Sequence, residues 1–276
     1  MTAVLVTGAS SGIGRATAER LARRPELTGY ATARRLEALE GLAAQGIRTL
    51  PLDVTDDDSM RAAVAAVEAD HGSVGVLVNN AGYGAYGTIE EADLDVVRRQ
   101  FETNVFGLAR MAQLVLPAMR AARQGRIVNI SSMGGRFVFP VGGYYHASKY
   151  AVEAISDALR FEVRPFGVHV AIVEPGLIRT AFSDTAAHTL SGSAAPSGPY
   201  AALNTAAGKQ MFDGYQSKLL TAPPETVART IEKAITSRRP RTRYVVTPAA
   251  TALVHSRRLL GGRAWDAFLT RQFRTG

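Results

Sequence analysis

The chain has 276 residues, of which 46% are hydrophobic and 20% are charged, and it contains no cysteine. This composition is typical of a globular protein rather than a disordered one. The lack of cysteine excludes disulfides, thiolate metal sites and cysteine nucleophiles. The net charge of +8 lies entirely in residues 238–276, which hold nine basic side chains and one acidic one, whereas residues 1–237 are balanced.

The first seven residues form a short apolar run with no basic residues before it. This pattern predicts a β-strand rather than a signal peptide. No stretch of the sequence approaches the roughly 20 consecutive apolar residues of a membrane span. We therefore expect a cytoplasmic protein.

Short β-branched runs alternate with longer helical patterns through residue 180, as in repeated βαβ units around a parallel sheet. The pattern predicts an α/β fold: a single Rossmann-like, doubly wound parallel sheet of about seven strands with helices on both faces. No repeat or linker interrupts it, so residues 1–276 are predicted to form one dinucleotide-binding and catalytic domain. The predicted strands are 3–7, 29–32, 49–53, 76–79, 126–131, 168–174 and 243–246. The predicted helices are 13–24, 36–44, 57–70, 94–122, 145–164 and 225–237, with Pro117 expected to kink or shorten the fourth near its end.

Residues 181–222 break this alternation, because they are rich in Ala, Ser, Thr and Gly and lack a clear strand. A loop of this size in a compact domain is more often functional than passive, so we predict a substrate lid. The alternative is a disordered insertion. The large apolar side chains of this segment are costly to leave in water unless they cover a ligand or a partner; they are Phe182, Leu190, Tyr200, Met211, Phe212 and Tyr215.

Gly8, Gly12 and Gly14 follow the first predicted strand and open the first predicted helix. Glycine lets the backbone turn sharply and approach a phosphate closely, and the helix N-terminus offers free N–H groups and a partial positive charge. The pattern predicts a nucleotide site, with a tight turn without ligand as the alternative.

Arg34 and Arg35 stand where NAD-binding units usually carry a carboxylate for the ribose. Because guanidinium groups bind phosphate in bidentate geometry, this pair favours NADP(H), with NAD(H) as the alternative cofactor.

Tyr145 and Lys149 lie one helical turn apart, which places the phenol and the ammonium on one face of a helix. A neighbouring ammonium favours the phenolate of a tyrosine whose ordinary pKa is about 10. Taken singly, Tyr145 could be a packing aromatic and Lys149 a surface charge. His146 points about 100° away from Tyr145 on such a helix, so we predict a packing or pocket-edge residue. The histidines show no metal-ligand spacing, and no metal site is expected.

Several stretches resemble the short-chain dehydrogenase/reductase family: TGASSGIG from Thr7, NNAG from Asn79 and EPGLIRT from Glu174, with Ser132 ahead of Tyr145-x-x-x-Lys149. The resemblance is strong over residues 2–182. It is closest to hydroxysteroid and retinol dehydrogenases, notably in YGAYGTIEE, ISSMGG, PFGVHV and GLIRTAF.

The resemblance implies an NADP(H)-dependent oxidoreductase that interconverts a secondary alcohol and a ketone. It makes Tyr145 the acid/base, Ser132 the residue that orients the substrate oxygen, and Lys149 the residue that tunes Tyr145 and holds the ribose. Asn104 would complete a proton relay. By the same resemblance the cofactor-binding residues are Gly8, Ser10, Ser11, Gly12, Ile13, Gly14, Arg34, Arg35, Asp53, Val54, Asn80, Ala81, Gly82, Tyr145, Lys149, Pro175, Gly176, Ile178 and Thr180.

The loop after Ser132 carries Phe137, Phe139 and Val141. In the family this loop helps to line the substrate cavity, so these residues predict a lipophilic substrate that is steroid-, retinoid- or polyketide/acyl-like. The resemblance also implies a homodimer or homotetramer. A function of a different class stays open, namely a non-catalytic NADP-binding sensor or scaffold, although such a protein would not require the four catalytic residues.

The C-terminal tail, residues 248–276, is predicted to be basic and amphipathic. It could pack as a helix over the mouth of the substrate cavity, contact a membrane surface peripherally, or bind nucleic acid. The first interpretation carries most weight and the membrane contact comes next, whereas we expect no nucleic-acid partner. The apolar positions at helical spacing are Trp265, Phe268, Leu269 and Phe273, flanked by Arg263, Arg271 and Arg274.

Overall fold

The computed structural model describes residues 1–193 and 197–273. Seven parallel strands form the central sheet in the order β3-β2-β1-β4-β5-β6-β9, and β7 pairs with β8 in a separate two-stranded sheet. The predicted sheet is confirmed, including its number of strands and its doubly wound order. The strands are β1 Thr2–Val6, β2 Leu27–Ala33, β3 Arg48–Pro51, β4 Val76–Asn79, β5 Gly125–Ile130, β6 Val168–Glu174, β7 Leu177–Ile178, β8 Thr221–Ala222 and β9 Arg243–Val245.

Helices cover both faces of the sheet because its strands are apolar at successive positions. In β1, Val4 and Val6 face the layer of α1 and α9, whereas Ala3 and Leu5 face α3 and α5, and all four are buried. The helices are α1 Gly12–Leu21, α2 Glu40–Ala43, α3 Asp57–His71, α4 Leu94–Phe101, α5 Leu108–Ala121, α6 Gly143–Val163, α7 Phe182–Ser193, α8 Ala201–Gln216, α9 Pro224–Thr236, α10 Pro248–Leu259 and α11 Gly262–Gln272.

The helix predicted over 94–122 is interrupted by a π-helical turn at Glu102–Gly107, between α4 and α5. The interruption was expected near Pro117, which instead lies inside α5. Gly107 ends this turn, and a Cβ at this position would lie 2.3 Å from the carbonyl oxygen of Val54. The helix therefore packs directly against the backbone that follows β3.

The helix predicted over 36–44 is also interrupted. It consists of a 3-10 turn, Leu36–Leu39, followed by the short helix α2.

Residues 181–222 are not a loop, so that expectation was wrong for the described part of the segment. They contain α7, α8 and the strand β8, which pairs with β7 through Leu177 and Thr221. Alanine-rich sequence is a good helix former, which explains α8. Pro196 lies outside the described residues. The Asn204 side chain of α8 donates to Glu91, and the Thr189 hydroxyl of α7 accepts from the Tyr86 amide, so both helices are attached to the segment after β4.

The tail folds back onto the body as α10 and α11. Trp265 is buried, its ring centroid lies 5.4 Å from that of Phe137, and Phe273 approaches Phe139 at 5.9 Å. Gln210 of α8 donates to the Gln272 carbonyl oxygen at 2.7 Å, joining α8 to α11. The structure thus agrees with the packed-helix interpretation of the tail; Arg274 lies outside the described residues.

Replacing Gly107 with alanine should lower the free energy of unfolding by about 2 kcal/mol, because the added Cβ overlaps a backbone oxygen that cannot move alone. Urea unfolding would measure the loss. Gly29→Ala is the matched control, since a Cβ there meets no atom within 4 Å. Equal stability of the two variants would contradict the close contact between Gly107 and Val54.

Candidate active site

A large cavity of about 1260 Å³ opens at the carboxyl ends of β1, β4, β5 and β6. Parallel strands bring all their carboxyl ends to one edge of a sheet, and the strand order reverses between β1 and β4, which makes this crevice the expected binding position. One part of the cavity lies along the glycine-rich turn after β1. The other part is walled by aromatic side chains from α8, α11 and the loop before α6.

The turn after β1 is shaped for close approach by a phosphate. Gly8 and Gly12 have φ angles of +67° and +54°, which side chains rarely adopt, and a Cβ on Gly14 would lie 2.3 Å from the Gly8 carbonyl oxygen. Asn80 holds the turn, since its Nδ2 donates to the carbonyl oxygens of Thr7 and Gly8. No side chain caps the N-terminus of α1, so its first N–H groups can bind an anion. These features fit the pyrophosphate of a dinucleotide.

Most of the predicted cofactor residues lie in the wall of this cavity. Gly14 does not, because it packs behind Gly8, and Arg35 does not, because it stands at the exposed start of the 3-10 turn after β2. The structure brings the following predicted residues to the cavity wall: Gly8, Ser10, Ser11, Gly12, Ile13, Arg34, Asp53, Val54, Asn80, Ala81, Gly82, Tyr145, Lys149, Pro175, Gly176, Ile178 and Thr180.

Arg99 is a cavity residue that the sequence did not indicate. It lies on α4 and lines the same cavity as Arg34. Burial raises the pKa of Tyr83, and the charges of both guanidinium groups act in the opposite direction. Neither arginine forms an ion pair with any described residue. The sequence does not distinguish Arg99 from its neighbour Arg98. The structure does, because α4 directs Arg99 to the cavity, whereas Arg98 pairs with Asp95 at 2.6 Å on the surface.

Tyr145, Lys149 and Ser132 meet at the junction of the two parts of the cavity. Burial raises the pKa of Tyr145 to about 12, and the Ser132 hydroxyl beside it acts in the opposite direction. Burial lowers the pKa of Lys149 to about 8, and its Nζ donates to the Ile130 carbonyl oxygen at 3.0 Å. At neutral pH the pair is therefore a phenol and an ammonium, with Nζ 6.0 Å from the phenol ring centroid.

Asn104 is buried in the π-helical turn, behind the cavity wall. Its Oδ1 accepts from the Tyr83 amide at 3.0 Å, and its Nδ2 donates to the Tyr83 carbonyl oxygen and to the Ser148 hydroxyl. All of these contacts link the π-helical turn to α6 and to the strand-end turn after β4. The side chain of Asn104 is thus a structural link next to Lys149.

His146 is a packing residue, as the sequence predicts. Its Nδ1 lies 2.9 Å from the Gly134 carbonyl oxygen, and its Nε2 accepts from the Phe139 amide at 3.2 Å. The two contacts require a neutral ring with the proton on Nδ1. Burial accordingly lowers the pKa of His146. The ring holds the ends of the loop that carries Phe137 and Phe139.

The second part of the cavity is apolar. Tyr86 stacks on Tyr145 with centroids 5.5 Å apart, and Phe182 of α7 lies 5.4 Å from Tyr145 on another side. Further walls come from α8, α10, α11 and the loop after β5: Phe137, Phe139, Val141, Ala207, Met211, Tyr215, Leu253, Phe268 and Phe273. The described parts of both the predicted lid and the tail therefore enclose one apolar chamber next to the phenol.

The order of these groups along the chain and in space matches a known family. The family model described as short chain dehydrogenase matches residues 2–191. The chain belongs to the short-chain dehydrogenase family. It is 44% identical to the 3-ketodihydrosphingosine reductase of Bacteroides thetaiotaomicron over 66% of this chain, and the match spans 65% of that relative's length. It is 38% identical to estradiol 17-beta-dehydrogenase 1 of Rattus norvegicus over 89% of this chain and 74% of the relative.

Solved short-chain dehydrogenases share the fold over nearly the whole chain. One from Streptomyces avermitilis is 35% identical, with a TM-score of 0.80 over 98% of this chain and 97% of its own. A Burkholderia phymatum member in complex with NAD is 28% identical, with a TM-score of 0.78 over 92% of each chain. The closed form of a serine dehydrogenase complexed with NADP+ is 27% identical, with a TM-score of 0.77 over 90% of this chain and 95% of its own.

This short-chain dehydrogenase is thus an oxidoreductase of hydroxyl and keto groups that uses a nicotinamide cofactor. Within residues 1–193 and 197–273, no cluster of three or more His, Asp or Glu side chains is arranged to hold a metal ion. In the same part of the chain, every helix is too short or too polar to cross a membrane.

The buried, neutral His146 should make the dehydrogenase less stable in mild acid. The unfolded chain takes up a proton near the ordinary histidine pKa of about 6.5, whereas the folded protein does not, so stability falls as the pH drops below that value. His146→Gln removes this difference. We expect its free energy of unfolding to depend less on pH between about 7.5 and 5.5 than that of the wild type.

The exposed His255 provides the matched control, because His255→Gln should leave the pH dependence unchanged. Chemical unfolding at each pH would measure the three proteins. The same pH dependence in wild type and His146→Gln would contradict the neutral state of the His146 ring.

Proposed function

We propose that this short-chain dehydrogenase interconverts a secondary alcohol and a ketone on a lipophilic substrate, with NADP(H) as its preferred cofactor. The observation that carries the proposal is the convergence of Ser132, Tyr145 and Lys149 between a dinucleotide-shaped groove and an apolar chamber. A substrate oxygen placed at these three groups leaves the rest of the substrate among aromatic side chains.

Each catalytic side chain has a separate task in the proposed reaction. The bound nicotinamide supplies or accepts the hydride. Tyr145 gives its proton to the carbonyl oxygen in reduction and takes it back in oxidation, and Ser132 orients that oxygen. Lys149 stabilises the phenolate that reduction leaves, because a nearby positive charge lowers the pKa of a phenol. Asn104 contributes to the proton relay by holding the turn beside Lys149.

Two unpaired cations support a preference for NADP(H). Arg34 and Arg99 both line the cofactor end of the cavity and have no carboxylate partner among the described residues. The 2′-phosphate of NADP(H) would supply the missing negative charge, whereas the ribose hydroxyls of NAD(H) would not. In this proposal Arg99, rather than Arg35, binds the 2′-phosphate together with Arg34.

The chamber supports a steroid-, retinoid- or polyketide/acyl-like substrate. Its walls are mostly aromatic and aliphatic, and burial of apolar surface there would contribute most of the binding free energy. Relatives named for 3-ketodihydrosphingosine and for estradiol add support for a lipid-like substrate.

The proposal also includes an assembly and a location. Phe106 and Phe161 expose 57% and 69% of their surface on the helices that follow β4 and β5, which supports a homodimer or homotetramer formed through these helices. We propose a cytoplasmic enzyme. The tail would cover the substrate chamber. Its basic residues could also contact a membrane peripherally, which a vesicle-binding experiment would test.

Tyr145→Phe should abolish turnover of ketones while leaving reduced-cofactor binding intact, because only the exchangeable proton is lost. Turnover would be followed by NADPH absorbance and binding by NADPH fluorescence. Tyr144→Phe is the matched control and should keep its activity. Turnover by Tyr145→Phe would contradict the assignment, and a wild type that binds NADPH without reducing any ketone would favour the sensor function.

Arg34→Ala and Arg99→Ala should each weaken NADPH binding about tenfold or more and change NADH binding little, because each removes one charge-assisted contact to the 2′-phosphate. Arg98→Ala is the matched control, since Arg98 pairs with Asp95 on the surface. Equal losses for the two cofactors would contradict the phosphate contact.

Phe268→Ala should raise KM for a large lipophilic ketone about tenfold and change that for a small ketone little, because it removes an aromatic wall of the chamber. Phe212→Ala is the control, since Phe212 is 64% exposed on α8. An unchanged KM for both ketones would contradict binding of the lipophilic substrate in this chamber.

Sedimentation with anionic vesicles would test the membrane interpretation of the tail against the packed one.

A further inference from the structure

The phenol ring of Tyr145 is held between two other aromatic rings. Tyr86 stacks on it, with 28° between the ring planes and 5.5 Å between the centroids. Phe182 covers another side, with 58° between the planes and 5.4 Å between the centroids. The proposed reaction assigns no task to Tyr86 or Phe182. Movement of the phenol toward either side is nevertheless blocked by a ring.

Tyr145 depends on such contacts because it faces the cavity. It lies in the wall of a space of about 1260 Å³ rather than in a packed core. Its polar contact with the Ser132 hydroxyl holds only the tip of the side chain. A hydrogen bond of this kind contributes about 1 kcal/mol, so it does not by itself prevent a long side chain from swinging about its Cα–Cβ bond. The orientation of the phenol therefore depends on the side chains that pack against its ring.

The rings are packed closely, with glycines beside them. A Cβ on Gly84 would lie 2.7 Å from both the Phe182 Cζ and the Tyr86 Cε2. A Cβ on Gly142 would lie 3.0 Å from the Tyr86 Cε1. Neither glycine has a positive φ angle, so the backbone conformation alone would accept a side chain at both positions. The two glycines thus leave the space that the rings occupy.

Phe182 reaches the phenol because the start of α7 is fixed at the cofactor turn. The Phe182 amide donates to the Thr180 hydroxyl at 3.3 Å. The Thr180 side chain packs on the turn after β1, where a Cβ on Gly12 would lie 3.1 Å from the Thr180 Cγ2. Further along α7, the Thr189 hydroxyl accepts from the Tyr86 amide at 3.1 Å. One helix therefore connects the cofactor turn, the phenol and the ring that stacks on it.

Both rings also line the apolar chamber, and a role in substrate binding predicts a different result from a role in placing the phenol. A ring that only binds substrate contributes apolar contact, and its loss raises KM for a large substrate, as expected for Phe268. A ring that holds the phenol contributes to the reaction itself, because proton transfer requires the donor oxygen at a fixed position. Its loss lowers kcat for small and large substrates alike.

We propose that Tyr86 and Phe182 are positioning residues for the reaction: their rings hold the Tyr145 phenol from two sides in a single orientation. The inference rests on the proposed function, since Tyr145 is the acid/base of that reaction. It adds a task for α7, which brings one of the two rings to the phenol. The segment predicted as a lid thus places the acid/base as well as enclosing the substrate.

Phe182→Leu and Tyr86→Leu keep an apolar side chain but remove the flat ring. Each should lower kcat about tenfold for a small and for a large ketone, with little change in KM for the small ketone or in NADPH affinity. Tyr86→Phe retains the ring and should recover most of the kcat that Tyr86→Leu loses. Phe212→Leu, which replaces an exposed aromatic of α8 outside the cavity wall, is the matched control and should match the wild type. NADPH absorbance would measure turnover, and NADPH fluorescence would measure binding.

The ring of Tyr145 can also be observed without turnover. Crystal structures of the two leucine variants should show it in a second orientation, whereas Tyr86→Phe and Phe212→Leu should keep the single orientation of the wild type. A Tyr145 ring that keeps its orientation in both leucine variants would overturn the proposal. An unchanged kcat, or a change confined to KM for the large ketone, would also overturn it, since both rings would then be substrate contacts only.

Failure of both leucine variants to fold would count against the proposal as well, because the two rings would then be structural. A displaced Tyr145 ring in the variants of a wild type that reduces no ketone would instead contradict only the proposed function.

Discussion

The active site depends on the contact between two backbone turns at the carboxyl edge of the sheet. The turn after β1 and the turn after β4 approach so closely that a Cβ on Gly8 would lie 2.8 Å from the Ala81 Cα. The Asn80 amide fastens one turn to the other through two carbonyl oxygens. This contact fixes the turn that leads into α1, whose uncapped N-terminus lies at the cavity.

Apart from the ring of Tyr145, the proposed catalytic side chains are held by buried polar contacts rather than by their own packing. Lys149 binds the end of β5 through Ile130, and Ser132 begins the 3-10 turn by accepting from the Gly134 amide. On one side, Asn104 of the π-helical turn donates to the Ser148 hydroxyl of α6. On the other side, His146 of α6 contacts the Gly134 carbonyl oxygen at the start of the aromatic loop. Such contacts fix the relative positions of phenol, ammonium and hydroxyl, which is what a proton transfer requires.

The sheet, and the placement of most candidate site residues around one cavity, could be predicted because their signals are local. Apolar runs mark the strands, the glycines mark the turn after β1, and the spacing of Tyr145 and Lys149 places both on one helix face. The two lid helices could not be predicted, since their alanine- and serine-rich sequence has a weak apolar periodicity and they are fixed by contacts with distant residues such as Glu91. Arg99 was missed for a related reason: only the path of α4 across the cavity separates it from Arg98.

The basic C-terminal segment, residues 238–276, is not one functional unit, although its charge is concentrated in sequence. Arg243 of β9 pairs with the buried carboxylates of Glu153 and Glu174, and Arg257 lies over the ring of Trp265 at 5.8 Å. These two cations take part in the architecture of the catalytic side. Arg258 and Arg263 are exposed at the turn between α10 and α11, next to Leu259, which is 85% exposed. The proposed attraction to anionic surfaces would therefore act on the same two helices, α10 and α11, that line the apolar chamber.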